Sequence, residues 1–159
     1  CIMIPEFLEA LALPVCRLER CGKKPSLPAR QTEDAAGVDL AAFLPEGEEV
    51  IPAGGRALIP TGLTMAVPRG WGGFVLARSS MGVKYGVNLS NGVGLIDPDY
   101  RGEVKVALIN HSDQAFTVRD GDRIAQLVLL PAPCVSLVEK DALEETVRGT
   151  GGFGSPGRR

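Results

Sequence analysis

Asp97 stands directly after the apolar run Gly94-Leu95-Ile96 and opens the turn Asp97-Pro98-Asp99-Tyr100-Arg101-Gly102, beyond which Val104, Val106 and Leu108 alternate as in a strand. A turn needs only Asn-Gly or Asp-Gly. This one carries two carboxylates, a phenol and a guanidinium. A carboxylate fixed at a strand end is a candidate general base, and because its intrinsic pKa is low its value must come from position. Two more polar residues stand where strands ask for apolar ones: Asp39 between Val38 and Leu40, and Gln126 on the parity of Ile124 and Val128. Burying either without a partner costs about 1 to 3 kcal/mol, so each has one, within the fold or in a ligand. Ala77-Arg78-Ser79-Ser80-Met81-Gly82 ends an apolar run in a cation and two hydroxyls. It reads as a phosphate-type anion site or as an N-cap serine beside an exposed arginine.

The last stretch, GTGGFGSPGRR, has five glycines and formally contains Gly149-x-Gly151-x-x-Gly154. That spacing binds dinucleotides only between a strand and a helix, and five residues after Gly154 leave no room for the helix. No GxxxxGK[ST] loop occurs either. What remains is a glycine strap with Arg148 and Phe153, a cation and a flat ring able to close over a ligand that has an anionic end and a planar face. A disordered terminus is the alternative.

Positioning these residues falls to short strands. Twenty glycines and twelve prolines cut the chain into apolar runs of strand length: 15–19, 38–43, 57–60, 63–67, 73–77, 87–89, 93–96, 103–110, 115–118 and 124–130. Helix is expected only over 79–85 and 139–147. There is no repeat, linker or charge block, so one all-β domain of barrel, sandwich or jelly-roll type is expected.

At 159 residues, with 45% hydrophobic and 23% charged residues, the chain supports a single domain with a real core. A net charge of −2 gives no overall basic surplus for a nucleic-acid backbone. The four cysteines lack CxxC spacing and His111 is the single histidine, so neither a zinc site nor a disulfide framework is indicated; reduced thiols and a cytoplasmic address are expected. The opening CIMIPEFLEALALPV has no basic flank and is too short in apolar length to span a bilayer.

Taken in order, AAGVDLAA, ARSSMG, NGVGLIDPDYRG, GDRIAQLVLLP and RGTGGFGS resemble the five motifs of the trimeric dUTPases, over residues 14–155. The resemblance implies a β-clip, a distorted jelly roll of many short strands with one helix or at most two. It implies a homotrimer with active sites at subunit interfaces, and hydrolysis of dUTP to dUMP and pyrophosphate with Mg2+. By the same resemblance Asp97 activates the attacking water and Tyr100 packs on the deoxyribose. Asn91, Gly94 and Ile96 belong to the hairpin that reads uracil. Arg78, Ser79, Ser80 and Gln126 contact phosphates, and Asp39 lies in or beside the outer shell of a metal held by phosphates and water. Arg148, Phe153 and Gly154 form the closing tail. Residues 1–13 are then an extension, 14–147 the domain and 148–159 a lid. One departure is Ser79-Ser80, where the family usually has Ser-Gly.

The chemistry has its own logic. Splitting a triphosphate needs an in-line water, a base, and positive charge where phosphoryl oxygens gain electron density; Asp97, Arg78 and Arg148 supply residues for these roles. A hairpin's fixed N–H and C=O groups can tell uracil from cytosine, with Gly92 and Gly94 admitting the base closely. The competing readings are a dCTP deaminase-like enzyme of the same fold, which would release ammonia from dCTP, and a dUTP-sensing binding protein.

Overall fold

The computed structural model describes residues 11–152. Ten strands and one helix follow in the order β1 (Val15–Arg17), β2 (Val38–Ala41), β3 (Glu48–Ile51), β4 (Arg56–Met65), β5 (Trp71–Leu76), α1 (Ser79–Tyr85), β6 (Val87–Leu89), β7 (Gly94–Ile96), β8 (Val104–Asn110), β9 (Phe116–Arg119) and β10 (Arg123–Pro131). One sheet runs β1-β4-β8-β6 and a second β2-β10-β5-β7, with β3-β9 as a separate ribbon. Every pairing between strands is antiparallel. Period-two alternation explains the layering: β8 turns Val104, Val106 and Leu108 inward, and they join Leu40, Ile59, Leu63, Ile124 and Leu127 from both large sheets in one core.

Three expectations change. The runs 57–60 and 63–67 form a single strand, β4, whose register against β8 slips between Pro60 and Leu63. The ladder bonds lost there are replaced: Thr61 Oγ1 donates to the Val104 carbonyl at 2.6 Å, and the Gly62 N–H donates to Glu103 Oε1 at 2.8 Å. β3, Glu-Glu-Val-Ile, was not anticipated because three of its four residues face solvent; it forms by pairing with β9. The helix expected over 139–147 is absent. Leu143 and Val147 are fully exposed, and a segment this short needs a buried apolar face to be stable as a helix. The helix expected over 79–85 is present and ends at Gly86, which takes the left-handed conformation at φ 67°.

Asn110, at the end of β8, is wholly buried. Its amide nitrogen donates to the carbonyls of Ile51 (3.0 Å) and Gln114 (2.7 Å), and its oxygen accepts from the Ser112 N–H and hydroxyl. It ties β3 to the β8–β9 turn. Asn110→Ala leaves several of these groups unpaired and is expected to cost about 2 kcal/mol or more. Urea unfolding midpoints check this, and a change within error would show that the network contributes nothing.

Candidate active site in two halves

The first half forms where β7 leaves the second sheet. Asn91, Gly94, Ile96, Asp97 and Tyr100 share one cavity of about 480 Å³, whose walls include Val75, Leu89, Glu103 and Lys105. Gly92 turns the hairpin at φ 72°. Gly94 has a different reason to be glycine: a Cβ there would come within 3.0 Å of the Val75 Cβ on β5. Asp97 is exposed at the rim. The turn after it is tied internally. The Tyr100 N–H donates to the Asp97 carbonyl at 3.1 Å, and Arg101 Nη1 donates to the carbonyls of Pro98 (2.7 Å) and Tyr100 (2.9 Å). Tyr100 Oη donates to the Glu103 carbonyl at 3.0 Å. The ring folds back over Gly102, where any Cβ would collide with the Tyr100 hydroxyl.

The second half lies at the other end of β5. Gln126 on β10 faces Asp39 on β2 and Leu76 on β5 in one rung. Arg78 follows β5, its Nε 3.3 Å from Asp39 Oδ1, while its Nη1 donates to the Arg123 carbonyl at 2.8 Å. Arg123 Nη1 reaches Asp39 Oδ2 at 3.1 Å. Gln126 Nε2 donates to the Ala77 carbonyl at 3.0 Å. Asp39 and Gln126 thus have partners inside the fold, and those partners aim Arg78. The neighbouring cavity, about 770 Å³, is lined by Arg78, Ser80, Lys84, Arg119 and Arg123 against the one acid Asp122. Arg78 and Arg123 share Asp39, and Arg119 pairs with Glu48 at 3.3 Å, so with Asp122 the four cations face three carboxylates and keep a small positive excess that suits an anion.

Ser79 begins α1 and is exposed, but it does not cap the helix: the N-cap is Arg78, with no side-chain capping bond. Ser80 sits in the first helical turn, and Cys21 is the one non-glycine described residue with positive φ. The backbone at position 80 therefore makes no demand for glycine, and Ser80 fits it without strain. Arg148 is exposed and donates through Nε to the Gly151 carbonyl at 2.8 Å, joining neither half. Phe153 and Gly154 lie outside the described residues. Arg123 and Glu103 were not singled out from sequence. Arg123 lay within the GDRIAQL motif, but its partner Asp39 is 84 positions away.

Asp39 does not present a free carboxylate to a metal, since both its oxygens face guanidinium groups. Among the described residues no cluster of three His, Cys, Asp or Glu could hold an ion. A Mg2+ coordinated by substrate phosphates and water needs no such cage.

The two halves do not meet within one chain. Ile96 pairs with Gly73, so Asp97 departs at the level of Gly72, whereas Gln126 is level with Leu76 and Arg78 lies beyond it. Four to six residues of extended chain separate them, about 13 to 20 Å at 3.3 Å per residue. The two cavities share no lining residue.

An all-β subunit of this kind is found among solved dUTPases. A variant of the Staphylococcus bacteriophage 80alpha dUTPase with dUpNHpp superposes with a TM-score of 0.81 over 93% of this chain and 99% of that one. At 23% identity the likeness concerns the fold. A D-to-N variant of the phage phi11 dUTPase, whose description names a structural Mg(II) ion, matches with a TM-score of 0.74 at 20% identity, over 85% of this chain and all of that one. Sequence carries the comparison further. The dUTPase family pattern matches residues 23–157. The deoxyuridine 5'-triphosphate nucleotidohydrolase of Desulfitobacterium hafniense is 52% identical over 139 residues, covering 87% of this chain and 91% of that protein. Its namesake from Syntrophotalea carbinolica is 45% identical over 141 residues, covering 89% and 95%. The chain belongs to the dUTPase family.

Proposed function

We propose that the protein hydrolyses dUTP to dUMP and pyrophosphate, with Asp97 as the base for a water that attacks the α-phosphate in line. The observation that carries this reading is the cavity in which Asp97 and Tyr100 stand beside the Asn91–Gly94 hairpin. The hairpin backbone reads the uracil edge, and Tyr100 covers the sugar face where a ribose hydroxyl would project. Arg78, Gln126 and Ser80 hold the phosphates through side-chain donors, and a Mg2+ bound by those phosphates and water would supply further positive charge along the triphosphate. The reaction would keep uracil out of DNA and furnish dUMP for thymidylate synthesis. No described helix is long and apolar enough to cross a membrane, and we place the enzyme in the cytoplasm.

Because the two halves lie too far apart in one chain, each active site takes Asp97 and Tyr100 from one subunit and the phosphate-side residues from another, in a homotrimer. The exposed Leu58 and Leu95 in and beside the first cavity supply apolar surface for that contact. Residues 148–159 then close over the bound nucleotide, Arg148 on the distal phosphate and Phe153 on the base. Arg148→Ala removes one charge-assisted hydrogen bond, about 1.5 to 3 kcal/mol, or roughly 10- to 150-fold in kcat/KM. The variant's thermal stability should not move, because Arg148 is exposed and its hydrogen bond among the described residues is to its own turn. An unchanged kcat/KM would take the tail's arginine out of the site.

Pyrophosphate release across dUTP, dCTP, dTTP and UTP, with ammonia followed in parallel, tests the substrate. Only dUTP is expected to turn over efficiently, with UTP disfavoured about 10²-fold, the scale on which an apolar face rejects an added hydroxyl. Tyr100→Ala should narrow that gap. Ammonia from dCTP would point instead to a deaminase, and equal use of UTP would unseat Tyr100.

A further inference from the structure

We infer that Glu103, clamped by Arg20, is a positioning residue that fixes the Tyr100 ring and so sets part of the discrimination between deoxyribose and ribose. The inference rests on the reading of Tyr100 as the sugar-facing aromatic.

The Tyr100 hydroxyl is held by a bond to a main-chain atom, the Glu103 carbonyl. The ring can be no better placed than that carbonyl. Glu103 lies between the turn and β8, at the point where β4 slips register and the ladder can no longer hold it. Its carboxylate takes over that task. Oε1 accepts from the Gly62 N–H at 2.8 Å, and Oε2 accepts from Arg20 Nη2 at 2.7 Å, with Lys105 Nζ at 3.9 Å.

The anchors are themselves fixed. Gly62 sits at φ 67° in the β4 bulge, where a Cβ would collide with Phe43, and its carbonyl accepts from the Leu18 N–H at 2.8 Å. The Arg20 guanidinium lies 5.7 Å from the centre of the Phe43 ring. Two segments distant in sequence therefore converge on one side chain, which is 10% exposed. Burial pushes the Glu103 carboxyl upward, but the hydrogen bonds from Arg20 and Gly62 and the charges of Arg20 and Lys105 outweigh it and hold the group below the usual carboxylate range. With both oxygens engaged, Glu103 is no rival to Asp97 as a base. Its effect on the reaction runs through the position of Tyr100.

Glu103→Gln tests this. The amide oxygen can still accept from Gly62, but its NH₂ then opposes the Arg20 donors, so the clamp loosens while the strand stays paired. The dUTP/UTP ratio of kcat/KM should fall about 2- to 30-fold, the range through which indirect contacts modulate a site. Tyr100→Phe, which removes the same link from the other side, should lower it similarly, and the double variant should fall no further than the larger single effect. A role confined to stability would lower both kcat/KM values together and leave their ratio alone.

The second readout needs no substrate. Protein labelled with 3-fluorotyrosine carries two reporters, Tyr85 and Tyr100, and Tyr100→Phe assigns them. In Glu103→Gln the Tyr100 fluorine resonance should shift or broaden and that of Tyr85 should not. If Glu103→Gln fails to fold, Arg20→Met is read in its place. A Tyr100 resonance unchanged from wild type, or a wild-type nucleotide ratio in the variant, overturns the inference. Wild-type protein that did not discriminate between dUTP and UTP would instead overturn the assignment of Tyr100, with the fluorine spectrum still judging the clamp.

Discussion

Asp97→Asn is expected to turn dUTP over about 10²- to 10⁴-fold more slowly than the wild type, the usual effect of removing a positioned general base, while still binding a non-hydrolysable dUTP analogue. The expectation follows from how Asp97 is held. It leaves β7 immediately after Ile96, which pairs with Gly73, and stands exposed at the cavity rim. Its main-chain carbonyl accepts from the Tyr100 N–H, and that bond is indifferent to the side chain. Among the described residues no ion pair involves the carboxylate. Asparagine keeps the shape and loses the proton acceptor. Pyrophosphate release gives the rate, and calorimetric titration with the analogue gives the affinity. A variant with near-normal kcat would reject Asp97 as the base. One that lost binding in proportion would make it a binding group.

Two inactive variants are expected to restore one another. Asp97→Asn lacks the base, and Arg78→Ala/Gln126→Ala lacks two phosphate contacts from the opposite end of β5. If each site draws these groups from different subunits, mixed trimers contain sites in which one chain supplies an intact Asp97 and its neighbour an intact Arg78 and Gln126. Random assortment of equal amounts makes about one site in four whole. Co-refolded protein should recover about a quarter of wild-type activity from parents at one-hundredth or less, whereas the same proteins mixed without exchange should recover none. Absence of recovery after verified exchange would mean that both halves belong to one chain, and the separation of about 13 to 20 Å along β5 would have to be closed by a rearrangement.

Asp97 was legible in the sequence as the carboxylate that closes the apolar run Gly94–Ile96, and Asp39 and Gln126 because each breaks the pattern of its strand and a polar residue at an apolar position demands a partner. Where those partners lie was not legible. Arg123 meets Asp39 across 84 residues, and Arg78 meets the Arg123 carbonyl across 45; only the pairing of β2 with β10 and of β10 with β5 brings them together. Local pattern also fails where pairing overrides composition. Glu48–Ile51 reads as a polar connection and becomes a strand because β9 lies alongside. Thr61-Gly62 reads as a break between two strands and becomes a bulge, because Thr61 and Glu103 satisfy the groups that the slipped ladder leaves open. In the other direction, Glu139 to Val147 has helix-forming composition but leaves Leu143 and Val147 uncovered by the described residues, and remains irregular. Glu103 was hidden for a simpler reason: after Gly102 it looks like the first outward residue of β8.

In the proposed reaction water attacks the α-phosphate from a position set by Asp97, and the fate of the water's oxygen reports this directly. Turnover of dUTP by the wild-type protein in heavy-oxygen-labelled water, with both products weighed by mass spectrometry, should place one labelled oxygen in dUMP and none in pyrophosphate. Label in pyrophosphate would move the attack to the β-phosphate, out of line with Asp97, and would contradict the mechanism proposed for this site.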